Sequence, residues 1–79
     1  MNVEIYGKPW CPYCDAAKSL AEVTDCDFVY KTLFEDFSRE MFIDLFPDAH
    51  TFPQIIVDGE KIGGYTEFKS FIDLTLNRK

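Results

Sequence analysis

The chain is 79 residues long, 47% hydrophobic and 16% aromatic, with a formal net charge of −6 at pH 7. Residues 1–79 are read as one domain; a chain this short buries only about 60–65% of its unfolded surface, so its core must be dense. The composition is globular, the charge argues against nucleic acid or an anionic membrane as partner, and no apolar run reaches transmembrane length.

Val3 to Tyr6 is a short strand, broken by Gly7-Lys8-Pro9. Cys11 then opens a helix that runs to about Thr24, with Pro12 in the first-turn position where its missing N–H costs nothing. Ala16, Ala17, Leu20 and Ala21 recur at helical spacing along it. Asp27 to Leu33 is rich in β-branched and aromatic residues and reads as a second strand, parallel to the first across a right-handed crossover. Asp36 or Ser38 caps a second helix over Arg39 to Phe46, which Pro47 closes, and Phe42, Leu45 and Phe46 form its core stripe. Gln54 to Val57 is a third strand, Asp58-Gly59 a tight turn, and Lys61-Ile62 the start of a returning strand that Gly63-Gly64 breaks. A last helix from Tyr65 to about Asn77 places Phe68, Phe71, Ile72 and Thr75 on one face. The order β-α-β-α-β-β-α makes an α/β fold, a four-stranded mixed sheet with helices on both faces.

The chemistry lies at the first strand-to-helix junction, in Lys8-Pro9-Trp10-Cys11-Pro12-Tyr13-Cys14. Two thiols separated by two residues close into one small disulfide ring, and this placement reads as a dithiol redox site. A thiol must ionise to attack, and a free cysteine has a pKa near 8.5. Cys11 faces the free N–H groups at the helix start, with those of Tyr13 and Cys14 as donors, and Lys8 adds a positive charge. Cys14, about one turn further in, is more buried and less ionised. The asymmetry assigns Cys11 as nucleophile and Cys14 as the thiol that resolves the mixed disulfide. Asp15 opposes the thiolate as a like charge but favours the helix.

Half a zinc site is the competing reading of the pair. It needs two more ligands, and only Cys26 and His50 remain, neither in a motif, so no metal is assigned. Cys26 reads as a semi-buried small hydrophobe, and His50 and Arg39 as surface residues. Three cysteines in a small chain fit a secreted disulfide scaffold poorly, and Met1 to Tyr6 has neither the basic nor the apolar region of a leader; both point to a reducing cytoplasm.

Two further segments carry weaker signals. Thr51-Phe52-Pro53 precedes a strand, where the proline is either an ordinary turn proline or a cis proline, which exposes the backbone before it to an extended peptide ligand. Gly63-Gly64-Tyr65-Thr66-Glu67 ends a strand and opens a helix; alone it reads first as an ordinary glycine-rich turn with capping residues, and second as a small carboxylate site made by its backbone donors.

Lys8 with Cys11-Pro12-Tyr13-Cys14, then Thr51-Phe52-Pro53-Gln54-Ile55, then Gly63-Gly64-Tyr65-Thr66-Glu67, span nearly the whole chain in the order found in glutaredoxins. The chain resembles the compact dithiol glutaredoxins of the thioredoxin-like superfamily. The resemblance implies a thioredoxin-like fold and a monomer that binds no cofactor and uses glutathione as co-substrate. It implies reduction of protein disulfides and glutathione mixed disulfides, including those of ribonucleotide reductase. By position, Lys8 and Tyr13 flank the glutathione groove, with Lys8 near the glycyl carboxylate. The Thr51-Phe52-Pro53 segment pairs with the cysteinyl unit through the Phe52 backbone. Gly64, Tyr65, Thr66 and Glu67 hold the γ-glutamyl end, with the Glu67 carboxylate facing its amine.

The chain departs from the family pattern at three places. Phe52 stands where Val is usual, Glu67 where Asp is commoner, and Trp10 where many members have a smaller or polar residue. Bulk at Trp10 and Phe52 narrows the groove or favours a protein substrate. Two other readings follow: a thioredoxin-like reductase recycled by a flavoprotein, and a module that holds an iron–sulfur cluster between two subunits. Pro12 opposes the second by stiffening the loop over the nucleophile.

Overall fold

The computed structural model describes residues 1–76. Its elements are β1 (Asn2–Gly7), α1 (Pro12–Val23), β2 (Asp27–Thr32), α2 (Arg39–Leu45), β3 (Gln54–Val57), β4 (Glu60–Gly63) and α3 (Tyr65–Leu76). The sheet order is β2-β1-β3-β4. β1 runs parallel to β2, in register from Asn2 opposite Asp27 to Gly7 opposite Thr32, while β3 is antiparallel to both β1 and β4. This is the expected mixed sheet of a thioredoxin-like fold.

Alternation along β1 divides its side chains between the two faces. Val3 and Ile5 join Ala17 and Ala21 of α1, Ile55 and Val57 of β3, and Phe68 and Ile72 of α3 in one buried cluster. Tyr6 joins Ile56, Leu33 and the rings of Phe37, Phe42 and Phe46 in another. Phe42 and Phe46 are buried and Leu45 packs beside them, as the helical stripe predicts. Phe68 and Ile72 are buried and Phe71 packs beside the first cluster, but Thr75 is exposed. The buried stripe of α3 therefore ends a turn earlier than its spacing suggests. The expected helix end at Asn77 lies outside the described residues.

Several boundaries move for identifiable reasons. β1 extends through Gly7, where it pairs with Thr32; a Cβ there would meet the Tyr30 hydroxyl at 2.2 Å, so only glycine fits. β2 stops at Thr32, short of the expected Leu33. The Thr32 N–H donates to the Asp36 carboxylate at 2.7 Å, Phe34 turns left-handed, and a lone bridge pairs Leu33 with Phe37. Asp36 closes that turn, and Ser38 is the cap of α2, accepting the Met41 N–H at 3.1 Å. α2 ends at Leu45, with Phe46 as its C-cap. α1 ends with Asp25 left-handed and the Cys26 N–H bonded to the Ala21 carbonyl, a Schellman closure made without glycine. Asp58 and Gly59 both have positive φ, the turn that a two-residue hairpin favours.

Candidate active site

The site sits where β1, α1, the segment before β3 and the start of α3 meet. Pro12 occupies the start of α1 and leaves Cys11 as its N-cap, in extended conformation. From there the Cys11 sulfur accepts the Cys14 N–H at 3.2 Å. Of the two donors expected, Cys14 supplies this bond; no bond from the Tyr13 N–H to that sulfur is present. Cys11 and Cys14 are joined by a disulfide, with Cα atoms 5.2 Å apart. Cys14 is completely buried and Cys11 is 7% exposed. An N–H aimed at a sulfur stabilises its anion, so once the bridge is open the cap favours thiolate at Cys11.

The peptide bond between Phe52 and Pro53 is cis, the second of the two forms open to a proline before a strand. The Phe52 carbonyl oxygen lies 4.0 Å from the Cys11 sulfur. A groove of about 350 Å³ is lined by Tyr13, Thr51, Phe52, Pro53, Gly64, Tyr65, Thr66 and Glu67. Eight of the nine flanking residues named from the sequence thus meet in one cleft. Lys8 stands at its wall, with its ammonium 5.4 Å from the centre of the Phe52 ring. Tyr13 is exposed, its ring centre 6.0 Å from that of Tyr65. A larger hollow of about 770 Å³ adjoins the groove through Thr51, Gly64 and Glu67 and runs away from the sulfurs toward Pro47, His50 and Lys61.

The glycine-rich end is arranged differently from the expectation. Glu67 Oε1 accepts the Gly64 N–H at 2.8 Å, so the donor and the carboxylate both assigned to the γ-glutamyl end of the ligand are bonded to each other. The longer Glu side chain reaches back over the helix start as a capping group. Gly63 has φ 111°, and a Cβ there would lie 2.8 Å from Glu67 Cγ, so this turn requires glycine.

Two supporting features escape the motif reading. Gln54 is buried, and its amide donates to the Thr51 carbonyl at 3.0 Å, tying the groove segment to the start of β3. The available signal is a polar residue opening an otherwise apolar strand. Phe42 stacks on Phe52 with ring centres 4.4 Å apart, and Phe37 lies on it at 6.5 Å. No local pattern announces that contact. Tyr30 lies on the far side of the pair, beneath Gly7; burial, and then the charge of Asp15, raise its phenol above the usual tyrosine pKa. Cys26 is partly buried, with its sulfur 3.2 Å from the Thr24 hydroxyl, and His50 and Arg39 are exposed. Among the described residues, no group of three or more His, Cys, Asp or Glu is placed to hold a metal ion, and no helix is long and apolar enough to cross a membrane.

The sequence model of the family described as Glutaredoxin matches residues 3–62. The Glutaredoxin of Haemophilus influenzae is 37% identical, the match covering 91% of each chain. Glutaredoxin 1 of Escherichia coli is 38% identical over 98% of this chain and 99% of its own. The crystal structure of Glutaredoxin 1 from Francisella tularensis complexed with cacodylate superposes with a TM-score of 0.80 at 34% identity, covering 98% of both chains. With its paired cysteines, its sheet order and these relatives, the chain belongs to the glutaredoxin family of thiol–disulfide oxidoreductases.

Proposed function

We propose that the chain is a cytoplasmic, monomeric glutaredoxin that uses glutathione to reduce protein disulfides and glutathione mixed disulfides, with disulfides of the ribonucleotide reductase type among its targets. It needs no bound cofactor. The observation that carries the reading is the asymmetry of the pair: Cys11 is capped by a backbone N–H at 3.2 Å, while Cys14 has no exposed surface.

In the reduced enzyme the Cys11 thiolate attacks a substrate disulfide. A Cys11–substrate bond forms, the substrate S–S bond breaks, and the first substrate sulfur leaves and takes a proton. Cys14 then loses its proton and attacks Cys11, releasing the second substrate thiol and closing the internal bridge. A glutathione thiolate reopens that bridge at Cys11, and a second removes the attached glutathione as glutathione disulfide. The groove beside Cys11 suits this co-substrate. The backbone of Phe52 before Pro53 pairs with its cysteinyl unit, while Tyr13 and Thr51 line its path. Lys8 meets the glycyl carboxylate, and Gly64, Tyr65, Thr66 and Glu67 hold the γ-glutamyl end. To accept the γ-glutamyl carboxylate, the Gly64 N–H exchanges its bond to Glu67 for one to the ligand, freeing Glu67 to meet the ligand amine.

An assay coupling glutathione and glutathione reductase to a small glutathione mixed disulfide tests this. Wild type turns over and Cys11→Ser does not. Cys14→Ser keeps activity on the mixed disulfide and loses most of it on protein disulfides; equal loss on both contradicts the roles given. A second reading, recycling by a flavoprotein reductase, draws on the exposed Trp10 beside Cys11 and the bulky wall at Phe52. Turnover with each reducing system side by side separates the two.

A further inference from the structure

Two exposed aromatic side chains, on the loops that follow β1 and β2, belong neither to the groove nor to the core. Trp10, which precedes Cys11, is 98% exposed on a left-handed backbone, φ 58°. Phe34 is 72% exposed and also left-handed, φ 72°. A bulky residue at positive φ is sterically disfavoured, and an exposed ring gains little packing in return.

The two leave the sheet at the same end. Trp10 follows β1 and Phe34 follows β2, whose last residues Gly7 and Thr32 pair in the parallel ladder. The Leu33 N–H donates to the Gly7 carbonyl at 2.9 Å and holds the two exits together. The outward direction of Phe34 is built in. Its N–H donates to the Phe37 carbonyl at 2.7 Å, and the Asp36 N–H donates to the Thr32 carbonyl at 2.8 Å. Leu33 and Phe37, on either side of it in the turn, are buried.

Trp10 and Phe34 lie outside the groove lining, on the loops that leave β1 and β2. β2 flanks β1 on one side, and β3, with Phe52 and Pro53 just before it, flanks it on the other. We propose that Trp10 and Phe34 form a docking ridge for the protein half of a glutathione mixed disulfide, the groove taking the glutathione half. The inference rests on the glutathione groove proposed above. The partner is a cysteine-bearing protein segment with an apolar residue beside its sulfur and Lys or Arg in preference to Asp or Glu. The exposed rings of Trp10, next to Cys11 in the chain, and Phe34 suit an apolar neighbour. The exposed Glu35 and Asp36 adjoin Phe34, and the chain carries a net charge of −6, which sets the sign of the partner.

The step balances without a further reagent. The Cys11 thiolate attacks the glutathione sulfur; the Cys11–glutathione bond forms, the protein–glutathione bond breaks, and the protein sulfur leaves with the electron pair and takes a proton from water. A second glutathione thiolate then attacks the bound glutathione sulfur, releasing glutathione disulfide and restoring the Cys11 thiolate.

The test uses three substrates with the full chain. Two are short peptides whose central cysteine is joined to glutathione, one flanked by Leu and Lys, the other by Ser and Glu. The third is the mixed disulfide of glutathione and 2-mercaptoethanol. Wild type prefers the Leu/Lys peptide over the Ser/Glu peptide. Phe34→Ser and Trp10→Ser each lower kcat/KM for the Leu/Lys peptide by about tenfold, the scale of an aromatic anchor at an interface. For Phe34→Ser, turnover of the 2-mercaptoethanol compound stays within about twofold of wild type on the same scale. Phe34→Gly, which relieves the left-handed backbone, melts no lower than wild type and shows the same selective loss. Unchanged peptide turnover in the Phe34 variants overturns the ridge, as does an equal loss on all three substrates. Wild type inert toward the 2-mercaptoethanol compound overturns the glutathione reading beneath it and the ridge with it.

Discussion

Under α1 and α3 the sheet is lined by aliphatic side chains, Val3, Ile5, Ile55 and Val57, met by Ala17, Ala21, Phe68 and Ile72. Under α2 it is lined by rings: Tyr6 packs edge-on to Phe37 and Phe46, and Phe42 extends the cluster to Phe52. The difference maps onto the site. Ala17 and Ala21 have no exposed surface and let α1 lie close to the sheet, which fixes the helix start that carries Cys11. The aromatic face ends in the wall of the groove. One face therefore seats the helix start that carries the sulfur, and the other shapes the space beside it.

Phe42→Ala attacks the aromatic face hardest. Truncating a buried Phe costs about 3–5 kcal/mol, read as a lower denaturant midpoint. If the faces are separate, the KM for glutathione rises while the alkylation profile of Cys11 keeps its midpoint. A shifted midpoint breaks the comparison.

Ala17→Leu attacks the aliphatic face. Overpacking there costs about 1–3 kcal/mol and lifts α1 from the sheet. The expected result is a Cys11 midpoint moved toward that of an ordinary thiol. A stable protein with an unmoved midpoint shows that the seat of α1 does not govern the sulfur.

Phe52→Val sharpens the account with a smaller change. It gives up the stack on Phe42, an effect of about 0.5–1.5 kcal/mol, and the ring beneath Lys8. The wider groove gives a lower KM for glutathione, with Cys11 unaffected. A raised KM means that the ring is itself a binding surface.

The smallest effect is expected at alkaline pH, from Lys31 at the edge of the aromatic face. Its ammonium lies 3.3 Å from the Tyr6 hydroxyl and 3.3 Å from the Glu4 carboxylate. The bond to Tyr6 first, and then Glu4, hold its pKa above the usual lysine value against the opposing effect of burial. The folded state keeps this proton more tightly than the unfolded state. The stabilisation is thus fully present below about pH 10.4 and is lost as pH rises through the folded pKa. Lys31→Gln and wild type should differ in denaturant midpoint at pH 8 and converge above that range. Tyr30, also raised, weakens both proteins alike and does not affect the difference. A gap that stays constant with pH removes the lysine charge from the account.

The reactive pair is legible in the sequence as a local motif, with its chemistry held in a few adjacent residues, whereas the proline before β3 and the glycine turn are weak signals alone and gain weight only from falling in that order along the chain. The element order is legible from period and punctuation. The end of β2 is not, since Asp36 takes the Thr32 N–H on the open edge of the strand and turns the chain there. Nor is the bond from the Gly64 N–H to Glu67, where a side chain one methylene longer than the commoner Asp reaches its own helix start. The Phe42–Phe52 stack joins residues far apart in sequence and is visible only once α2 has packed. Motifs thus name the groove residues, while the packing that shapes them is a property of the fold.

The central claim concerns the charge on one sulfur. The direct measurement is alkylation of the fully reduced protein from acid to alkaline pH, with each modified cysteine identified by mass spectrometry. The account predicts that Cys11 reacts with a midpoint well below the ordinary thiol value of about 8.5, and that Cys14 stays unmodified over the same interval. A Cys11 midpoint at or above that of an ordinary cysteine, or equal labelling of the two, contradicts it.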